Sequence, residues 1–209
     1  MIPIFAAPQH LAGPAGDSLT RTQAAALLGI SPTGVDKLLK VGLFPTPIAT
    51  ALVLDLAARP RLEVLQGALT VLRTSPPSAA SEGDGRRIGA HLDMADDELT
   101  WASLGSWRCD PAVVLANELF AVSVSTIPLA VLRVTGAERP VRFDDGQLRH
   151  RFTGELLARL DPDLSARVLT AEAALAGAAR QILTSRVSVS SGGPIGYLAP
   201  GATPADAPA

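Results

Sequence analysis

Cysteine and lysine are scarce in this sequence, and the scarcity of cysteine excludes several functions. Cys109 is the only cysteine among 209 residues, so an internal disulfide framework and a metal site built from several cysteines are both excluded. A reducing cytoplasm suits such a chain. Sixteen of the 18 basic residues are arginine, a bias typical of GC-rich coding sequences. The formal net charge is −2, so no overall positive field attracts the chain to nucleic acid or to a membrane.

Long uninterrupted apolar runs are absent as well. The most apolar segment, residues 48–58, is short and contains Asp55, and residues 111–134 are interrupted at Glu118 and Pro128. We therefore expect no membrane span. The N-terminal sequence MIPIFAAPQH lacks the basic region of a secretory signal. The composition, with 47% hydrophobic residues, is that of a folded chain.

Residues with a chemistry of their own are few and scattered. No two of the three histidines have the spacing of metal ligands, so we expect neither a metal nor another cofactor. His91 and Asp93 form a possible catalytic pair, but a histidine beside an acidic helix start is more often structural. Cys109 has no histidine near it in the sequence and is interpreted as a small core residue. We expect no catalytic residues and no enzyme activity.

The composition changes along the chain divide it into four parts. We predict a flexible leader over residues 1–16, a DNA-binding domain over 17–61, a second domain over 62–198 and a disordered tail over 199–209.

The most informative stretch is SLTRTQAAALLGISPTGVDKLLKVGLFPTP, residues 18–47. Thr20 is predicted to cap a first helix, with Gln23 completing a capping box. Gly29 stands where a left-handed residue ends a helix. Ser31 is predicted to cap a second helix, with Pro32 at its first position. Two short helices joined by a tight turn containing glycine form the helix-turn-helix plan.

This stretch also resembles the helix-turn-helix of MerR- and excisionase-type DNA-binding domains, in the LTRTQAAALLGIS opening and in the VGLFP that follows the second helix. The resemblance implies that the second helix enters the major groove of double-stranded DNA. The residues expected to face base edges or phosphates are Thr33, Gly34, Asp36 and Lys37. The residues expected to contact the DNA backbone are Arg21, Ser31 and Lys40. The alternative is a helical hairpin used only for packing or protein contact, since residues 17–47 carry a net charge of only +1.

The segment from residue 105 to residue 157 is loosely similar to PUA-like domains, through its GSWR sequence and its RHRFTG strand. The matching residues are Gly105, Trp107, Arg108, Arg149, Arg151, Phe152 and Gly154. The resemblance implies a second nucleic-acid contact, in which Trp107 stacks on a base and Arg108, Arg149 and Arg151 contact phosphates. The alternative places Trp107 and Phe152 in the core and the arginines on a solvent face.

The distribution of apolar residues along the rest of the chain predicts the fold. Short apolar segments indicate strands near residues 62–74, 119–126, 127–136 and 147–154, with a helical turn or two at 155–160. Residues 163–185 indicate a long helix, whose apolar seam could pack on its own domain or form a homodimer contact. The members of the seam are Leu164, Val168, Ala171, Leu175, Ala178 and Ile182. We therefore predict an α+β protein: a three-helix helix-turn-helix unit, then an α+β domain with a small curved sheet or barrel and a long C-terminal helix.

These predictions favour one function over two others. We expect a sequence-specific DNA-binding protein, a repressor-like transcriptional regulator from a bacterium or phage, whose second domain serves dimerisation, sensing or extra nucleic-acid contact. One alternative is a nucleic-acid-acting enzyme or toxin-like protein that the helix-turn-helix targets. The other is a protein-interaction adaptor that uses the helix predicted over 163–185.

Overall fold

The computed structural model describes residues 4–5, 18–79, 87–190 and 192–201, so most of the predicted leader and tail lies outside it. Helix and strand are about equally abundant in these residues. The helices are α1 (Arg21–Leu28), α2 (Pro32–Lys40), α3 (Thr50–Ala58), α4 (Asp96–Ser103), α5 (Pro111–Asn117) and α6 (Ala173–Leu183). The strands are β1 (Ile4–Phe5), β2 (Ser18–Leu19), β3 (Ile48–Ala49), β4 (Val64–Gln66), β5 (Leu69–Arg73), β6 (Ser78–Ala79), β7 (Arg87–Ile88), β8 (Leu119–Val124), β9 (Ile127–Ala137), β10 (Val141–Arg142), β11 (Leu148–Arg149), β12 (Phe152–Leu160), β13 (Ala166–Val168) and β14 (Ile195–Leu198).

A mixed sheet of six strands forms the centre of the fold, in the order β13-β12-β9-β8-β5-β14. β5 and β8 are parallel, and the other neighbours are antiparallel. All six residues of β8 are buried. Because successive side chains of a strand point to opposite faces, the sheet is covered on both faces at β8. The four short two-stranded pairs lie outside this sheet, including β2 with β3, which joins the start of α1 to the start of α3.

The predicted caps of the first two helices are confirmed. The Thr20 hydroxyl accepts a hydrogen bond from the Gln23 amide at 3.3 Å, and the Gln23 side chain accepts one from the Thr20 amide at 2.9 Å. Gly29 ends α1 in the left-handed conformation, with φ of 60°. The Ser31 hydroxyl accepts a hydrogen bond from the Gly34 amide at 3.1 Å, and Pro32 is the first residue of α2. These contacts span only a few residues, which is why the sequence pattern predicts them.

The predicted fold class is nevertheless wrong, because the first three helices do not form a three-helix helix-turn-helix unit. α1 packs against α2 and α3, but α2 also packs against β8. Leu28 and Leu38 belong to the same continuous hydrophobic core as the sheet residue Val122. Helices of eight or nine residues bury too little apolar surface by themselves, so these helices are stabilised by packing on the rest of the chain. The predicted boundary at residue 61 stays a prediction.

The predicted barrel and long C-terminal helix are also wrong. The sheet is open, with β13 and β14 at its edges. Residues 155–160, predicted as a helical turn, lie in β12, where pairing with β9 overrides the local pattern. Residues 166–168 form β13, and α6 begins only at Ala173.

The apolar seam predicted over residues 163–185 does not form an exposed stripe. Leu175, Ala178 and Ile182 are buried in the core, and α6 packs on β9 and β12 of its own chain. The seam expected to hold a homodimer or an adaptor partner is therefore occupied within the chain. None of the helices in the described ranges is long and apolar enough to cross a membrane.

Candidate nucleic-acid interface

One side of α2 carries polar and cationic side chains at helical spacing. Thr33, Lys37 and Lys40 follow one another at intervals of four and three residues, so they lie on the same side of the helix. We call these three residues the α2 stripe. Thr33 and Lys40 are exposed and Lys37 is partly exposed. Within the described chain neither lysine forms an ion pair. The two charges are therefore free to interact with an anionic ligand.

The other side of α2 is fixed to the body of the protein. Val35 and Leu38 are fully buried. The Ser125 hydroxyl, at the turn between β8 and β9, donates a hydrogen bond to the Gly34 carbonyl at 3.2 Å. The guanidinium of Arg186 donates to the carbonyl of Leu28 at the end of α1. The α2 stripe is therefore presented on a helix whose position is held by the sheet.

The other predicted DNA-contact residues around α2 have mixed positions. The guanidinium of Arg21 pairs with the carboxylate of Asp36 at 2.7 Å, so this acidic side chain is partly neutralised within the protein. Ser31 is exposed, but its hydroxyl is engaged in the helix cap. Gly34 is buried, and a side-chain carbon there would lie 3.1 Å from the Ser125 hydroxyl. Gly34 therefore faces the sheet and not the surface expected to meet base edges.

Three of the four residues predicted as a second nucleic-acid contact lie together. Trp107, Arg108 and Arg149 line an open cavity of about 250 Å³, with Ser106, Asp145 and Pro194. We call this cavity the Trp107 groove. The backbone of Trp107 exchanges hydrogen bonds of 2.9 and 3.0 Å with that of His150. This bridge brings residues 107 and 149 together although 42 positions separate them.

The side chains of the Trp107 groove differ in how far contacts within the protein already occupy them. The Trp107 indole N–H donates to the Ser103 carbonyl at 2.7 Å, which fixes the ring. Arg149 pairs with Asp145 at 2.7 Å and stacks 4.2 Å from the centroid of Phe143. Hydrogen bonds from the Gln147 amide and then from Arg149 lower the pKa of Asp145. Arg108 is exposed and forms no ion pair with any described residue, so it is the freest cation of the groove.

Arg151, the fourth predicted residue, lies elsewhere. Its guanidinium stacks over Trp101 at 5.0 Å from the ring centroid, beside α4. The predicted phosphate cluster is therefore divided between two surfaces. Trp107 and Phe152 were predicted to be core in the alternative interpretation; Phe152 is buried, and Trp107 is partly buried.

Cys109, His91 and Asp93, the residues with possible catalytic chemistry, are each held by burial or by contacts within the protein. Burial raises the pKa of Cys109 to about 11, so its thiol stays protonated at neutral pH. His91 Nδ1 lies 2.6 Å from Asp93 Oδ1, but Arg87 binds the same carboxylate at 3.0 Å. No group of three or more histidine, cysteine, aspartate or glutamate side chains in the described ranges could hold a metal ion.

The sequence pattern did not indicate a buried charge network beside these surfaces. The Arg159 side chain, only 3% exposed, donates to the carbonyls of Met94 and Leu92 at 2.6 and 2.7 Å and to Asp96 at 3.0 Å. Arg167 binds the same Asp96 carboxylate at 2.9 Å. The arginines lie more than 60 positions from Asp96, so no local spacing signals the contact.

Comparison with known proteins gives no match: no family model, no curated protein and no solved structure is significantly similar to this chain. The resemblances to MerR- and excisionase-type domains and to PUA-like domains stay predictions.

Proposed function

We propose that this protein binds double-stranded DNA through the α2 stripe and acts as a transcriptional regulator. The observation that carries the proposal is the pair of lysines, Lys37 and Lys40, which project from one side of an anchored helix and pair with no described carboxylate. Phosphate contacts position a protein on a duplex, and side chains on the same helix face read the base edges. Thr33, near the N-terminus of α2, is the side chain placed for such a reading. For a regulator from a bacterium or phage, this role on DNA is one exercised in the cytoplasm.

The small number of free charges limits the affinity that this surface supplies. Each phosphate neutralised by a lysine releases counterions and contributes about −0.9 to the slope of log K against log salt. Two lysines therefore support a slope of about −2, which is far shallower than the slope of strong DNA binders. We infer weak, salt-sensitive binding by one copy of the chain. Tight binding requires additional contacts from the chain or from a second copy.

Fluorescence anisotropy with a labelled duplex of about 20 base pairs, which spans two turns of DNA, tests the proposal across a salt series. Lys37→Ala and Lys40→Ala should each weaken binding and reduce the salt slope by about 1. The matched control is Arg180→Ala, which removes from α6 an exposed cation that pairs with no carboxylate in the described ranges. This control should bind like the unaltered protein. Equal losses in all three variants would show a general charge effect and reject the α2 stripe.

The Trp107 groove supports a second candidate function, contact with single-stranded nucleic acid. The observation that favours it is the meeting of Trp107, Arg108 and Arg149 in one cavity. Aromatic rings that stack on bases beside arginines are typical of single-strand sites. Titration with a labelled oligothymidine should show weaker binding for Arg108→Ala, whereas Arg139→Ala, an exposed arginine outside the groove, should leave binding unchanged. Identical behaviour of the two variants would reject this site.

A further inference from the structure

A second surface, unrelated to the proposed DNA contact, lies between α4 and β12. A cavity of about 580 Å³ opens there, lined mainly by Asp97, Trp101, residues 153–156 and Leu169. We call it the α4–β12 groove.

One wall of this groove is a strand edge that no described strand covers. β12 pairs with β9 along its length, but on its other side β13 pairs only with residues 158–160. The Phe152 amide donates to the Leu104 carbonyl at 2.9 Å, and the Leu169 amide donates to the Leu157 carbonyl at 2.8 Å. Between these two contacts no described strand pairs with residues 153–156 on this side. The open edge is four residues long.

The backbone direction of Phe152 shows which groups of the edge point into the groove. Its N–H points away from β9, and alternate residues of a strand point the same way. The register shift that follows inserts Thr135 in β9, so β12 keeps its alternation there. The N–H groups of Gly154 and Leu156 therefore point toward the groove. Unpaired N–H and C=O groups at a sheet edge are a template for another strand.

The groove is shaped to admit an extended chain. A side-chain carbon on Gly154 would collide with the backbone carbonyl oxygen of Arg133 in β9, so this position is restricted to glycine and carries no side chain. Trp101, stacked under Arg151, supplies apolar surface from α4, and Leu169, 42% exposed, adds apolar surface at the end of the edge beside Leu157. This combination of an open edge and an apolar wall is the arrangement used when a peptide adds to a sheet.

The lining of the groove holds two exposed carboxylates, Asp97 and Glu155, against one cation without a described carboxylate partner, Arg151, so its charge balance is negative by one. Asp97 and Glu155 are exposed, and neither forms an ion pair with a described residue. Asp96 beside them is neutralised by Arg159 and Arg167. Because these two carboxylates outnumber the single cation Arg151, the groove favours a ligand with lysine or arginine side chains.

The carboxylates of Asp97 and Glu155 favour some occupants of the groove over others. Residues 1–17 and 202–209 contain no lysine or arginine, so neither end of the chain complements these carboxylates. A second copy that paired edge to edge would bring two Glu155 carboxylates together, and like charges on adjacent strands are destabilising. We propose that the α4–β12 groove binds an extended basic segment of a partner protein, which adds to β12 as a new strand.

The probe for this proposal is a fluorescein-labelled peptide of about eight residues with alternating lysine and valine, long enough to form a strand. Fluorescence anisotropy with the full chain should show saturable binding. Glu155→Lys should weaken it by about tenfold through charge repulsion. Glu138→Lys, the same change at an exposed residue outside the groove, should leave binding unchanged. Equal weakening by both variants, or no saturation, would overturn the proposal.

Amide hydrogen exchange distinguishes strand addition from mere charge attraction. A saturating peptide should slow exchange of the Gly154 and Leu156 amides by about tenfold or more, because both become hydrogen-bonded. Unchanged exchange at these two amides would overturn the proposed strand pairing. Sedimentation velocity without peptide supplies a further check. If the unaltered protein forms a dimer and Glu155→Lys abolishes it, a second copy of the chain occupies the groove. That result would overturn the proposal that a partner protein does.

Discussion

The α2 region and the α4–β12 region use their cationic side chains in opposite ways. In the α4–β12 region Arg159 is almost fully buried, and carbonyl and carboxylate oxygens surround its guanidinium. In the α2 region Lys37 and Lys40 project to the surface and have no carboxylate partner in the described chain. The first arrangement stabilises the fold and the second leaves charge available for a ligand.

The physical reason for the difference is solvation. A buried charge loses its hydration and must recover the loss through hydrogen bonds and an opposite charge. An exposed lysine keeps its water and needs no protein partner. Removing a buried cation should therefore cost stability and removing an exposed one should cost only binding. The following predictions test this contrast.

The largest effect is expected for Arg159→Ala. The substitution leaves the Leu92 and Met94 carbonyls without their donor and removes one of the two partners of Asp96. A buried acceptor left without its donor costs about 1–3 kcal/mol, so the loss of two should lower the free energy of unfolding by about 2 kcal/mol or more. Urea unfolding followed by circular dichroism measures the loss. A loss below about 1 kcal/mol, the ordinary effect of a point mutation, would show that the network contributes little.

Asp96 should make the stability of the same region sensitive to acid. Hydrogen bonding from Arg167, followed by that from Arg159, lowers the pKa of Asp96 below its usual value of 3.8. A carboxylate with a lowered folded-state pKa stabilises the fold above its unfolded pKa, and this contribution is lost as the pH falls through the folded value. Asp96→Asn should therefore reduce the decline of stability below about pH 4. Thermal unfolding between pH 2 and pH 7 measures it, and an unaltered acid profile would contradict the assignment.

The cap of α2 should contribute a moderate amount. Ser31→Ala removes the oxygen that accepts the Gly34 amide hydrogen bond and should cost about 1 kcal/mol. Ser31→Asp is the matched control, because an aspartate oxygen accepts the same hydrogen bond and caps a helix about as well as serine. Chemical denaturation of the two variants gives the difference. Similar losses for both would mean that the hydrogen bond accepted by the side-chain oxygen is not the stabilising interaction.

The smallest change in stability is expected for Lys40→Ala. Surface substitutions away from special features usually change the free energy of unfolding by less than about 0.5 kcal/mol. Lys40 lies in the last turn of α2, where a cation interacts favourably with the helix dipole, so the sign should be slightly destabilising. A loss comparable to that of Arg159→Ala would remove the contrast between the two regions.

Sequence patterns identified part of the fold and part of the candidate sites. The two strands predicted near residues 119–136 are present as β8 and β9, because apolar β-branched segments favour strands wherever they are buried. Residues 163–185 show the opposite case, since a heptad-like spacing did not produce a long helix. The predicted second nucleic-acid contact has four members, of which Trp107, Arg108 and Arg149 share a cavity, whereas Arg151 lies on another surface.

The sequence by itself determined the ends of α1 and α2, since a cap joins side chain and backbone only three residues apart along the chain. It also determined the scarcity of free positive charge, which limits any contact with DNA. Only the tertiary structure decided that Gly34 faces Ser125, that Arg159 meets Asp96 and that β12 keeps an open edge. Each of these features joins segments separated by dozens of residues. Such long-range contacts depend on how the whole chain packs around one core. The local spacing of residues in the sequence does not predict that packing.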